Sequence, residues 1–259
     1  RRDLMFLTLD QIDTYLSCPD EYMYAYDLNL KTNKVDAREK FDEAVHKTLY
    51  HYFYNLMDHK KLTEGEMRRK FNELWFRPQD KLEFLFSNND SDVQASLEAV
   101  SFFNVFHRLE SRNPGVPLEI NRDVNVMIDD HIVAVHIDLV REITLKGKSV
   151  VQLIDFKTNR RMPDQFFLDD DLHMTLMSYA YRTINHKKED QLIYYMLKNG
   201  QQLPANRGET NYQRMKRLVN MVADGIENKR FYPRVSYKCK TCPFQEICKR
   251  WPHEFEGAE

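Results

Sequence analysis

Glycine is scarce in this chain, 7 residues in 259, and no low-complexity tract or internal repeat is present. That excludes a fibrous or disordered polymer and leaves an ordinary helix-rich globule. No stretch approaches the ~18 consecutive apolar residues of a membrane span, and no signal-peptide pattern opens the sequence. The expectation is a soluble, intracellular, cytoplasmic protein with no membrane association. An excess of one charge is missing too: 38 basic against 40 acidic side chains leave −2, so no overall field attracts a polyanion. Local basic clusters would have to do so: Lys146 with Lys148; Lys157 with Arg160 and Arg161; Arg214 with Lys216 and Arg217; or Lys238 and Lys240 with Lys249 and Arg250. For any one of these, a solvated face is the commoner explanation. The chain opens on Arg1 rather than Met, which fits a piece of a longer polypeptide.

What is present suffices for one large domain: 42% hydrophobic and 30% charged residues can bury a real core. Thr8 and Gln11 form a capping box ahead of Ile12, Tyr15 and Leu16 at helical spacing, so a short helix starts there and stops near Ser17, Cys18 and Pro19. Pro19, Asp20 and Glu21 open a second helix over residues 22–26. Residues 37–57 carry an amphipathic stripe through Phe41, Val45, Leu49, Tyr52, Phe53 and Leu56, with His46 on its flank. Thr63 and Glu66 cap a helix to about residue 76, and another spans 92–110 before Asn113, Pro114 and Gly115 end it. From 117 to 158 the period changes to two, a three-strand meander with turns at Asp129-Asp130 and Gly147. A helix over 164–184, a strand over 191–197 and a helix over 211–229 follow.

The last strand of the meander runs Val150, Val151, Gln152, Leu153, Ile154, Asp155, Phe156, Lys157. Alternation puts Asp155 and Lys157 on one face and Phe156 on the other. The preceding strand delivers Asp138, and Glu119 is a further acid whose simplest reading is an exposed strand carboxylate. Two carboxylates and a lysine at neighbouring strand ends suit metal-assisted hydrolysis of a phosphodiester. The structural alternative is an ion pair between Asp155 and Lys157, and for His46 a half-buried histidine on a backbone or water partner.

All cysteines are Cys18, Cys239, Cys242 and Cys248: a terminal Cys-x2-Cys-x5-Cys run plus one distant partner. Disulfides do not suit an intracellular chain. Zinc accepts four thiolates but usually draws them as two close pairs, so a [4Fe–4S] cluster, which takes irregular spacing, is favoured over zinc. Either would clasp the amino-terminal corner to the carboxy-terminal segment.

Taken in order, Cys18-Pro19 before a Tyr-rich helix, the helix bearing His46, Ile137-Asp138, Asp155-Phe156-Lys157-Thr158, the Tyr179-Ala180 helix and the closing cysteines resemble a RecB-family nuclease of the PD-(D/E)XK superfamily. The similarity is to its iron–sulfur subgroup, with the AddB carboxy-terminal nuclease and the CRISPR-adaptation exonucleases. The resemblance implies an α/β (α+β) restriction-endonuclease-like core with a central mixed sheet and flanking helices, as one nuclease domain over 1–259. Within it, 1–115 is mainly helical, 116–230 is the catalytic sheet core and 231–259 the cysteine-rich segment. It implies Mg²⁺ or Mn²⁺ held by His46, Asp138, Asp155 and the Phe156 backbone carbonyl. Lys157 would position water, Tyr179 would line the DNA path or brace Lys157, and the cysteines would hold the cluster, with structural zinc as the alternative. Val135 and Thr175 stand where the family often has glycine and glutamine. The activity implied is a DNA exonuclease on single strands or duplex ends, in repair, recombination, replication or spacer processing beside a helicase or integrase. The other readings are a catalytically silent DNA-binding scaffold and a zinc-stabilised hydrolase acting on RNA.

Overall fold

The central alternation becomes three long strands in the computed structural model, which describes residues 4–76, 81–87 and 90–248. The chain runs β1 (Met5–Thr8), α1 (Leu9–Ser17), α2 (Pro19–Tyr22), a π-helical turn (Met23–Asp27), β2 (Lys34–Asp36), α3 (Ala37–Met57), α4 (Glu64–Trp75), β3 (Glu83–Leu85) and α5 (Asp92–Glu110). It continues through β4 (Val116–Ile128), β5 (His131–Leu145), β6 (Lys148–Lys157), α6 (Gln165–Asp170), α7 (Leu172–Asn185), β7 (Gln191–Met196), β8 (Gln201–Ala205), α8 (Glu209–Glu227) and a 3-10 turn (Tyr237–Lys240). Both expected capping boxes form, at Thr8 with Gln11 and at Thr63 with Glu66.

Four short strands have no counterpart in the expectations. β2 and β3 pair with each other, while β1 and β8 join the main sheet. Each has 3 to 5 residues, too few for alternation to register. The helix expected over 164–184 is two helices, because Asp171 leaves helical geometry (ψ 119°) and its side chain caps Met174 instead. Arg207, buried, braces that corner by donating to the Leu168 and Asp171 carbonyls and to the Thr175 hydroxyl.

The main sheet is mixed, in the order β1-β5-β6-β7-β8 with β4 on the other side of β5. One core joins α1, α7 and α8 to one face, including Ile12, Leu176 and Val219; the other joins α3, α4 and α5 to the opposite face, including Phe41, Phe71 and Phe103. This is the three-layer arrangement that buries both faces of a sheet.

Two irregularities position the site. The strand beside β5 changes along its length: β1 pairs up to Ala134, β6 pairs only from Leu139, and the residues between have no strand partner on that side. β5 also shifts phase within that gap. Ile137 belongs to one core and Leu139 to the other, although a regular strand would put them on the same face. β4 shifts with it: Ile120 and Val124 lie in opposite cores, and between them Asn121 takes a left-handed φ of 51°, a conformation asparagine tolerates better than most residues. Asp138 sits at this turning point. Among the described residues no helix is long and apolar enough to cross a membrane.

Candidate active site

The β5–β6 ladder ends at the pair Leu139 and Ile154, and Asp138 and Asp155 are the next residues of the two strands at that fork. On β6 the expected alternation holds. Phe156 is 1% exposed and packs its ring among Phe53, Phe106 and Tyr195. Asp155 and Lys157 turn the other way, with Nζ 2.7 Å from Oδ2. The ion pair weighed as the structural alternative is therefore present.

Asp138 is gripped on both oxygens. Oδ2 accepts from the Phe156 backbone N–H at 2.8 Å, and Oδ1 accepts from the buried Tyr50 hydroxyl. His46 reaches the fork from α3: Nε2 lies 3.0 Å from the Phe156 carbonyl oxygen and 3.6 Å from Asp138 Oδ2, while Nδ1 lies 2.7 Å from the Asp42 carbonyl. Both ring nitrogens face carbonyl oxygens, which only accept, so these surroundings favour the charged ring. Burial opposes that charge, but Asp138 and the two carbonyls outweigh it and raise the His46 pKa.

The two carboxylates respond oppositely to burial. Burial would lift Asp138, yet His46 and His136 hold it below its ordinary value. Burial lifts Asp155 to about 7, Lys157 pulling against it and Asp138 adding to it. Burial would depress Lys157, but Asp155 and Asp171 hold it charged. Two acids this close divide their titration in this way.

Three contributors were missed by sequence reasoning. Tyr50 is one helical turn from His46, a spacing that could have flagged it. His136 is two residues before Asp138 on the same strand; its Nε2 lies 3.0 Å from the Tyr50 oxygen and its Nδ1 2.7 Å from Asp123. His173, on the first turn of α7, lies 3.8 Å from Asp155 Oδ2 with a buried, unpartnered Nδ1. Burial and Lys157 hold its pKa well below the usual value. No periodicity marked it.

Tyr179 is placed away from this group. Its hydroxyl donates to the Met127 carbonyl at 3.3 Å and its ring meets Tyr212 and Lys216; the aromatic beneath Lys157 is Tyr194, at 5.7 Å. Glu119 pairs with Arg122 at 2.7 Å. Thr175, at the expected glutamine position, bonds Asp171 and Arg207, so its role is to brace the α6–α7 corner. Arg160 and Arg214 are occupied by Glu98 with Asp90 and by Asp170, which weakens two of the basic clusters. Lys249 and Arg250 lie outside the described residues.

Cys18, Cys239, Cys242 and Cys248 line a single cavity with Glu21, Arg234 and Lys238, and all four are unbridged. The backbone N–H of Arg234 points at Cys18 Sγ (3.5 Å) and that of Ser236 at Cys239 Sγ (3.4 Å). Burial pushes the Cys242 thiol up to about 12. Among the described residues no three or more His, Cys, Asp or Glu side chains are drawn together as a metal-holding group.

The family model of the PD-(D/E)XK nuclease superfamily matches residues 7–249. The chain belongs to that superfamily. The mixed sheet with flanking helices is the architecture of such a nuclease. Among solved structures, one described as the crystal structure of SSO0001 is 12% identical, covering 96% of this chain and 88% of that one at a TM-score of 0.41. No curated protein is matched by the sequence.

Proposed function

We propose that this superfamily member is a metal-dependent deoxyribonuclease, acting as an exonuclease on single strands or duplex ends. The observation that carries the reading is the convergence of His46 Nε2, the Phe156 carbonyl and Asp138 Oδ2 within 3.0 and 3.6 Å, next to the Asp155–Lys157 pair. Imidazole and oxygen donors suit Mg²⁺ and Mn²⁺, the imidazole tilting preference toward Mn²⁺. His46, Asp138, Asp155 and the Phe156 carbonyl would hold the ion, and the Asp42 carbonyl would orient the ring through Nδ1–H. A divalent cation held by these residues would supply Lewis-acid chemistry, offsetting negative charge on the phosphate oxygens. Lys157 orients the attacking water and adds positive charge at the same centre. Water adds to phosphorus, the P–O ester bond breaks, and the proton leaves with the departing oxygen.

The four cysteines form a second centre in this reading, holding a [4Fe–4S] cluster or, with the same ligands, zinc. The shared cavity and the two N–H groups directed at sulfur support it, since such bonds tune thiolate metal sites. DNA is the substrate, and a helicase or integrase the fitting protein partner. Mn²⁺-dependent loss of 5′- and 3′-labelled single and double strands is the test. Asp155→Ala and Lys157→Ala are expected to abolish it; equal degradation by wild type and both variants would refute the reading, and RNA run in parallel decides the substrate.

A further inference from the structure

We propose that Tyr50 and His136 are positioning residues, a relay of hydrogen bonds that holds the Asp138 carboxylate in the orientation a divalent cation needs. The inference rests on the nuclease reading above and deepens it.

α3 presents His46 and Tyr50 one turn apart, and both meet the same carboxylate: the ring at Oδ2, the hydroxyl at Oδ1. With the Phe156 N–H also on Oδ2, the carboxylate has lost its freedom to rotate. His136 steadies that hydroxyl from the other side, Nε2 lying 3.0 Å from the Tyr50 oxygen and 3.5 Å from Asp138 Oδ1. The imidazole is itself oriented through Nδ1, 2.7 Å from Asp123, its cross-strand neighbour on β4. The order Asp123, His136, Tyr50, Asp138 thus runs from an exposed carboxylate to a buried one. Asp123 has 81% of its side chain exposed, and such a pair stabilises the fold little. What the chain of contacts does is orientation. Each link fixes the next, and the last leaves Asp138 Oδ2 facing His46 Nε2 and the Phe156 N–H.

The test is Mn²⁺ affinity, read from the electron paramagnetic resonance of the free ion during titration and independently from the Mn²⁺ dependence of DNA cleavage. Tyr50→Phe keeps the ring and removes only the donor. It is expected to raise the Mn²⁺ dissociation constant about tenfold, the scale of lost outer contacts to a metal ligand, with kcat recovering at saturating Mn²⁺ and KM for DNA unchanged. His136→Leu is expected to weaken binding less, and His136→Gln, which restores an amide donor, to regain most of the loss. The double variant Tyr50→Phe with His136→Leu is expected to bind more weakly than Tyr50→Phe but by less than the sum of the two single effects, because the histidine acts partly through the tyrosine and partly on Asp138, 3.5 Å away. Asp138→Ala separates the two hypotheses. If it abolishes Mn²⁺ binding while Tyr50→Phe binds as wild type, or if the two single effects add, the relay is overturned and the nuclease reading stands. If Asp138→Ala binds Mn²⁺ as wild type does, the metal site itself has been misassigned. Should Tyr50→Phe fail to show wild-type circular dichroism, the His136→Leu and His136→Gln pair carries the same decision.

Discussion

Asp138 and Asp155 are 5% and 2% exposed, yet one is held below its ordinary pKa and the other lifted to about 7. The difference lies in their neighbours: two imidazoles around the first, and for the second one ammonium opposed by a second carboxylate. Glu39, on the first turn of α3, follows the same physics in a more exposed setting. Burial, then Asp36 and Glu21, raise its pKa from 4.5 to about 7. The folded chain therefore holds a proton that the unfolded chain has released, so this contribution to stability is present below about pH 4.5 and disappears as pH rises through about 7. Glu39→Gln is expected to melt above wild type at pH 8 and level with it at pH 4, by a small margin because the side chain reaches solvent; thermal melts at both pH values check this. Strand alternation put Asp155 and Lys157 on one face and a helical stripe put His46 on the flank of α3, while the resemblance alone implied that they act together with Asp138. Tyr50 was not legible, because an aromatic on an amphipathic helix reads as core.

Helix α3 is the element on which the site turns, since it carries His46, Tyr50 and the Asp42 carbonyl. Its N-cap is Asp36, whose Oδ1 accepts from the Arg38 N–H at 2.7 Å and whose Oδ2 accepts from the Thr241 hydroxyl at 2.5 Å. Thr241 lies between Cys239 and Cys242. The same helix ties to the end of β6 through Arg38 on the Thr158 carbonyl and the Thr158 hydroxyl on Asp42. Asp36→Ala is expected to cost about 1 kcal/mol or somewhat more, as lost N-caps do. Thr241→Val, which spares the cap and removes only the strut, is expected to cost about 1 kcal/mol. Urea unfolding of both variants measures this, and a cost below experimental error in Thr241→Val would show the strut to be incidental. The helix itself was legible from residue 37 to 57. Its anchor was not, since Asp36 and Thr241 are 205 positions apart and no local pattern links them.

Across the whole molecule, the amino-terminal corner and the cysteine-bearing segment meet repeatedly. Tyr15 donates to the Arg230 carbonyl at 2.9 Å, Arg234 to the Leu16 carbonyl, Lys34 pairs with Glu246, and the Tyr24 and Phe244 rings lie 5.7 Å apart. If the four thiolates share a metal, its binding energy adds to these contacts as folding energy. Cys18→Ser is expected to lose the bound iron or zinc by elemental analysis and to melt below wild type, and chelation of the wild type should reproduce that shift. A Cys18→Ser variant that keeps both metal content and melting temperature would remove the clasp from the account while leaving the fork intact.

The sequence by itself determined the alternation that places Asp155 and Lys157 on one face, the helix bearing His46, the order of the motifs and the single set of cysteines, because each is a local pattern of period two, period 3.6 or short spacing. The tertiary structure alone decided that β5 exchanges one neighbour for another around Asp138, that Tyr50 and His173 reach the site, and that Tyr179 does not. Those outcomes depend on which strands share hydrogen bonds and on which helix packs over the gap between them, contacts between residues far apart in the chain.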